Sequence, residues 1–257
     1  MAVSDTVICV PTRRPPPILT FEHYEPPLNM DVILMCDPEV YEKHLEAYGD
    51  NPQFHVLKGE RGIGPQIHLC YLRSFELGAS LWVKLDDDLA DKTYVHKEGH
   101  YPALEEVIFE MECCLKETKT THAGLGNGSN RFWMGTGYKR TWGLIHGGTN
   151  IAVTTNEPWQ FIDVRLRRAG DVYRSCAHRE LDGAVGRVAH IGFDKSKSTI
   201  TAGQTSIDLT MDEILANRDF ILKAFPGFVT CEGVRYVDNG TKPILNWRMR
   251  RDPGFTS

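Results

Sequence analysis

The stretch Leu81–Leu89, LWVKLDDDL, constrains this chain more than any other. An apolar run with the character of a buried strand ends abruptly in Asp86, Asp87 and Asp88, which puts three carboxylates at a strand's C-terminal tip, where open α/β sheets bind ligands. Adjacent carboxylates repel one another unless a cation sits among them. Their oxygens are hard ligands suited to Mg²⁺ or Mn²⁺, ions that complete their shells with water and substrate phosphates. A metal–diphosphate site is one reading, and an acidic turn that caps the next helix is the other.

The rest of the chain supplies an α/β context. Asp5–Val10 is a β-rich run, followed by Pro11-Thr12-Arg13-Arg14 and three prolines, so a strand leads into a loop carrying one hydroxyl and two guanidiniums. Asp31–Cys36 predicts a second buried strand. Asp37 and Pro38 open a helix with Val40, His44, Leu45 and Tyr48 on one face, closed by Gly49. Phe54–Lys58 predicts a third strand. After Gly59–Gly64, a helix starts at Pro65 with Ile67, Cys70, Tyr71 and Phe75 on its apolar face, ended by Gly78. That glycine-rich loop has neither Walker nor GxGxxG spacing, so a phosphate cradle and a plain turn stay open.

Leu104, Val107, Ile108, Met111 and Leu115 define an amphipathic helix over Ala103–Lys116. Gly124–Gly148 then mixes glycine with Asn127, Asn130, Trp133, Tyr138, Trp142 and His146, suited to a sugar or base pocket or to a glycine-rich β-meander. Gly147-Gly148-Thr149-Asn150 enters a strand over Ile151–Thr154. Asn156 caps an expected helix running through Trp159, Phe161, Ile162 and Leu166 to Gly170. Its arginines Arg165, Arg167 and Arg168, with Arg174, Arg179 and Arg187 beyond, are dipole complements or a phosphate patch. Glu180–His190 is expected to open a further helix with its acids at the N-terminus. Thr210–Glu213 has the form of a capping box for a helix through Phe220 and Ala224, ended by Pro226-Gly227. A strand or hairpin follows over Phe228–Val237 with Asn239-Gly240 as its turn, before the basic Trp247–Arg251.

Hydrophobic residues at 41% and charged residues at 25% exclude a disordered or fibrous chain. A net charge of −5 argues against general coating of nucleic acid. Seven cysteines without a CxxC pair are expected to be reduced core residues. With no signal peptide or membrane-spanning run, a cytoplasmic location is the expectation.

Together the strand ending in Pro-Thr-Arg, the strand–helix alternation, the Arg-Gly loop before a helix and the strand ending in Asp-Asp-Asp resemble the GT-A class of nucleotide-sugar glycosyltransferases. The resemblance covers roughly the first two hundred residues. Within the class the chain is most similar to the TET/JBP-associated glycosyltransferases, many of them phage-encoded. The class implies an α/β, GT-A-like, Rossmann-like single-domain αβα sandwich with a mixed central sheet. It also implies a nucleotide-binding half over 1–95 and an acceptor-binding half over 96–257.

It further implies roles. Asp88 and Asp86 would hold Mn²⁺ or Mg²⁺, with His190 or water as third ligand. Pro11, Thr12, Arg13, Arg61, Asp86, Asp87 and Gly148 would bind the donor, UDP-glucose by default. Asp182 or Glu180, with Asp171 in reserve, would supply a base if configuration inverts. Trp142, His146, Arg168 and Arg174 would meet the acceptor. A hydroxymethylated pyrimidine in DNA is the first expectation for that acceptor, a saccharide, protein or small molecule the second. A nucleotidyltransferase and a noncatalytic nucleotide-binding or interaction module are the rival functions.

Overall fold

The computed structural model describes residues 6–145, 147–155, 157, 160–166, 169–194, 209–237 and 242–250. The strands expected in the first third of the chain form: β1 (Thr6–Thr12), β2 (Val32–Cys36), β3 (Phe54–Lys58) and β4 (Leu81–Leu85), all parallel in the order β3-β2-β1-β4. Buried parallel strands are apolar on both faces. Here Ile8, Val10, Val32, Leu34, Val83 and Leu85 face one layer while Val7, Cys9, Ile33, Met35 and Trp82 face the other. The chain winds outward from β1 through β2 to β3 and then returns to pair β4 with the other side of β1. Between β1 and β4, therefore, lies a topological switch point.

The sheet continues through β8 (Thr149–Val153), antiparallel to both β4 and β6 (His122–Asn127), and then β9 (Val185–Phe193), parallel to β6. Along the far side of β9 run β7 (Tyr138–Thr141) and the short β5 (Tyr94–His96), both antiparallel to it. The result is a mixed nine-stranded sheet between helices, the expected α/β sandwich.

On one face lie α1 (Leu19–His23), α2 (Tyr41–Tyr48) and α4 (Leu104–Thr118), whose five spaced apolar residues are all buried. On the other lie α3 (Ile63–Glu76), α5 (Gly170–Asp182) and α6 (Met211–Ala224), with the antiparallel hairpin β10 (Val229–Val237) and β11 (Lys242–Met249). The Thr210–Glu213 capping box forms as expected. The expected Asn239-Gly240 turn lies outside the described residues.

Several expectations fail for local reasons. α2 begins at Tyr41 because Asp37 first closes a turn, its carboxylate accepting from the Glu39 amide at 3.2 Å and its carbonyl from the Val40 amide at 3.0 Å. Leu45 and Phe75 turn outward. No α-helix forms over the described residues from 157 to 169. Residues 161–166 run as turns and irregular chain, because Asp163 accepts from both the amide and the guanidinium of Arg165 and so competes with helical bonding. Phe161, Ile162 and Leu166 are buried all the same.

Nor does a helix start at Glu180. Gly183, at φ 76°, ends α5 just after Asp182, and the following residues, with buried Val185, Val188 and Ile191, enter the sheet as β9. The short α1 and β5 were not foreseen.

Beneath the sheet's centre His122 and His178 are buried with ring centroids 4.6 Å apart, and Phe161 stacks on His178 at 4.1 Å. Burial, reinforced by Arg174, holds His122 down to about 3. Burial, then His122 and Arg174, holds His178 well below its ordinary value. Both pKa values are depressed in the folded state, so their contribution to stability is full above the unfolded value near 6.5 and falls as pH drops below it, by up to about 1.4 kcal/mol per pH unit for each ring. Urea unfolding is expected to show stability falling from pH 6.5 towards pH 4, with a shallower slope in His122→Gln. An unchanged slope in that variant would remove His122 from the explanation.

Candidate functional site

The C-terminal ends of β1 and β4 meet at the switch point, and the triple aspartate is tied to both neighbours there. Thr12 Oγ1 donates to Asp87 Oδ2 at 2.6 Å. Arg14 Nη2 donates to Asp88 Oδ2 at 2.9 Å, and its Nε lies 3.9 Å from Asp87 Oδ1. The loop that presents Arg14 is pinned: its amide donates to Thr12 Oγ1 at 3.2 Å, and His44 Nε2 donates to its carbonyl at 2.7 Å. From α1, Thr20 Oγ1 donates to the Asp86 carbonyl at 2.6 Å and accepts from the Leu89 amide at 3.0 Å. The carboxylates are thereby held at the sheet edge.

The second anchor is Lys84. Residues two apart on a strand share a face, so Lys84 and Asp86 point together toward the α3–α5 layer. Lys84 is only 3% exposed, and its ammonium donates to both Asp86 Oδ1 and the Gly147 carbonyl. The Asp86 amide donates to the Gly148 carbonyl at 2.9 Å. A Cβ at Gly148 would stand 2.6 Å from Phe193 Cζ and 3.2 Å from Asp86 Oδ2, so close packing demands glycine there.

Asp171, in the first turn of α5, lies alongside: a Cβ at Gly147 would stand 3.8 Å from Asp171 Oδ2. Asp171 Oδ1 accepts from the Val172 amide at 2.9 Å. One turn further, the buried Arg174 guanidinium lies 5.7 Å over the Trp82 ring, and its Nε and Nη1 have no hydrogen-bond partner. Burial lowers the Arg174 pKa, opposed by the attraction of Asp171 and Asp86.

The electrostatics follow from this crowding. Burial pushes Asp87 up to about 6, against the Thr12 bond and Arg14, with Asp88 and Asp86 adding to the rise. Asp88 is raised by burial and then by Asp86, against Arg14 and Lys84.

Of the residues expected to act together, the structure gathers Thr12, Asp86, Asp87, Asp88, Gly148, Asp171 and Arg174, with Pro11 just before Thr12 in β1. Arg13 turns aside, its Nε 3.7 Å from Asp37 Oδ2. Arg61, just ahead of α3, faces solvent beside Glu39. Asp182 accepts from the Thr121 amide and hydroxyl, both at 2.6 Å, just ahead of β6; it and Glu180 therefore sit at the opposite sheet edge, one helix length from Asp171. Trp142 follows the end of β7, an antiparallel strand, and lies at that opposite edge too. Both ring nitrogens of His190 are engaged elsewhere, Nε2 with Glu110 Oε2 at 2.8 Å and Nδ1 with the Gly137 carbonyl at 3.2 Å. His146 and Arg168 lie outside the described residues.

Sequence reasoning noted Arg14 only as one of two guanidiniums in its loop, and passed over Lys84 and Thr20. For Lys84 a signal existed: a lone lysine in an apolar strand, two residues ahead of an aspartate, shares its buried face. The three carboxylates do not converge as a three-ligand cage, since among the described residues only His96, Glu98 and His100 bring three such ligand atoms together. Their oxygens do fit a hard cation that takes one or two carboxylates and completes its shell with water and phosphate. Asp86 and Asp88 would supply them.

No protein-family model and no curated protein matches the chain. Among solved structures, a presumed nucleotide-diphospho-sugar transferase from Desulfovibrio desulfuricans G20 aligns over 86% of this chain and 98% of that one, at TM-score 0.42 and 12% identity. A likeness that distant carries no argument about activity.

Removing the ammonium beneath Asp86 should strand a crowded carboxylate, so Lys84→Met is expected to cost about 1–3 kcal/mol, less than a fully buried pair because Asp86 reaches solvent. Adding Asp86→Asn should recover part of the loss, with a coupling of about 0.5–3 kcal/mol in urea unfolding. Strictly additive losses would dismiss the pair as an energetic unit.

Proposed function

We propose that this chain transfers a sugar from a nucleotide-sugar donor to a hydroxyl acceptor. The observation that carries the reading is the convergence at the β1–β4 switch point of Thr12, Arg14, Lys84, the three aspartates and Asp171, because such a crevice is where open α/β sheets take nucleotides. Thr12 and Pro11 border the nucleotide, and Gly148, packed between Phe193 and Asp86, holds the Asp86 backbone at the donor's edge. When Mn²⁺ or Mg²⁺ is bound through Asp88 and Asp86, it neutralises charge on the leaving diphosphate. Arg14 fixes Asp88, and Lys84 fixes Asp86, so neither carboxylate reorganises as charge develops.

In an inverting reaction the acceptor hydroxyl gives its proton to a carboxylate, its oxygen bonds to the anomeric carbon, and the carbon–oxygen bond to the diphosphate breaks with the electron pair leaving on the diphosphate. Among the three acids of α5, Asp171 is our choice for that base, since it stands at the helix end beside Gly147 and Asp86. UDP-glucose is the default donor to test.

A hydroxymethylated pyrimidine in DNA is one acceptor candidate. Burial of Arg174 and Arg179 withdraws those two guanidiniums from any phosphate-binding patch and favours a saccharide, protein or small hydroxyl compound.

Release of nucleoside diphosphate from a panel of nucleotide sugars, with Mn²⁺ or Mg²⁺ against chelator and with or without hydroxymethylated DNA, tests the reading. Metal-dependent release that falls about 100-fold or more in Asp88→Asn is expected, and Asp171→Asn should lose transfer by about 10²–10⁴ while still binding donor. No turnover of any donor would favour the noncatalytic module.

A further inference from the structure

We propose that His96, Glu98 and His100 form a site for a divalent transition-metal ion of the zinc type, separate from the aspartate cluster and independent of the proposed transferase activity. The candidate ligand atoms of these three residues all lie within 4.8 Å of one another. Two imidazoles and one carboxylate are a donor set suited to Zn²⁺ and its neighbours, where Mg²⁺ prefers oxygen alone. Ligand atoms around one tetrahedral ion stand about 3–3.5 Å apart, so closure asks for side-chain rotations that unstack the His96 and His100 rings, whose centroids lie 4.2 Å apart at 26°.

The backbone is already set for this. His96 and His100 bracket a tight turn in which the His96 amide donates to the His100 carbonyl at 2.9 Å and the Gly99 amide to the His96 carbonyl at 2.9 Å. Gly99 stands at φ 101°, and a Cβ there would meet the Arg131 guanidinium at 2.7 Å, so the turn requires glycine twice over. Arg131 Nε in turn donates to the Lys97 carbonyl at 2.9 Å and braces the turn from outside.

The ring tautomers agree with metal binding through Nδ1. His100 Nε2 donates to Glu106 Oε1 at 3.1 Å, the carboxylate–histidine arrangement that orients metal-ligating imidazoles and leaves the Nδ1 lone pair inward. His96 Nδ1 accepts the Glu98 amide at 3.2 Å, a long bond that an ion at the turn replaces. Burial, with His100 and His190 beside it, lowers the His96 pKa.

Glu98 is exposed and free to swing in. The turn opens on a cavity of about 290 Å³ lined by His96, Lys97, Glu98, Thr136, Gly137 and His190, which gives the ion a route to solvent and an open fourth position. Because Arg131 ties this turn to the 3-10 turn that exposes Phe132 and Trp133, the ion would also stiffen that aromatic pair.

Titration of chelator-stripped protein with Zn²⁺ by calorimetry tests the site. One equivalent is expected to bind to the wild type and to Asp86→Asn/Asp88→Asn, and to be lost in His96→Ala/His100→Ala. Glu106→Gln, which removes only the orienting carboxylate, should weaken binding about 10-fold or more. Co²⁺ bound in place of Zn²⁺ should give ligand-field bands without thiolate charge transfer, which separates this site from the cysteines. Glu98→Gln serves as the milder variant if the histidine pair fails to fold. No stoichiometric binding by the wild type, or equal binding by the histidine and Glu98 variants, would overturn the proposal.

Discussion

Three consecutive carboxylates at the end of one strand are tenable because β1 and β4 are neighbours. The loop after β1 brings Arg14 against Asp88 and Asp87, while β4 itself brings Lys84 under Asp86. Neither cation would suffice by itself: Arg14 leaves Asp86 uncompensated, and Lys84, on the α5 side, does not reach Asp87. Burial still pushes Asp87 up to about 6, so compensation is incomplete and the cluster favours any further positive charge that enters the crevice. An edge of the sheet that would otherwise repel itself is thus held together by two cationic side chains of the chain itself.

The direction of α5 decides which of its acids can take part. Its first turn lies beside Gly147, and its last turn is tied through Asp182 to Thr121 at the start of β6. Because β6 runs parallel to β4, the start of β6 and the end of β4 are opposite edges. A helix of 13 residues spans roughly 20 Å, far beyond the reach of a side chain. Asp171 and Asp182 thus serve different ends of the sandwich, one next to the carboxylate cluster and one anchoring the entry to a strand.

How much of this was legible in the sequence depended on whether the signal was local. Apolar runs bounded by Pro, Gly and Asp marked β1 to β4, five apolar residues at helical spacing marked α4, and Thr210 with Glu213 marked the start of α6. The stretch from Glu180 to His190 was misread because acids beside an alanine and valines suit a helix start as well as a helix end followed by a strand. Only pairing with β6, sixty residues away, settles it. The 160–166 segment misled for the converse reason: Phe161, Ile162 and Leu166 are buried from turns, where Asp163 bonds its own neighbour. The role of Arg14 was hidden because it comes from a contact between the loop after β1 and the end of β4, whereas Lys84 was signalled locally, two residues ahead of Asp86, and overlooked.

The arginines carry the same lesson into function. A run with Arg165, Arg174, Arg179 and Arg187 has the composition of a phosphate-binding surface, yet all but Arg165, which stays exposed beside Asp163, turn their guanidiniums inward. Arg179 holds the Phe228 and Arg250 carbonyls, Arg187 the Leu144 carbonyl, and Arg174 lies over Trp82. Arginine suits this use because its planar fork satisfies several carbonyls at once and packs on aromatic faces. Charge counted along a chain therefore overstates the field at its surface. In the transferase reading proposed above, the composition of this run is therefore no argument for a long polyanionic acceptor.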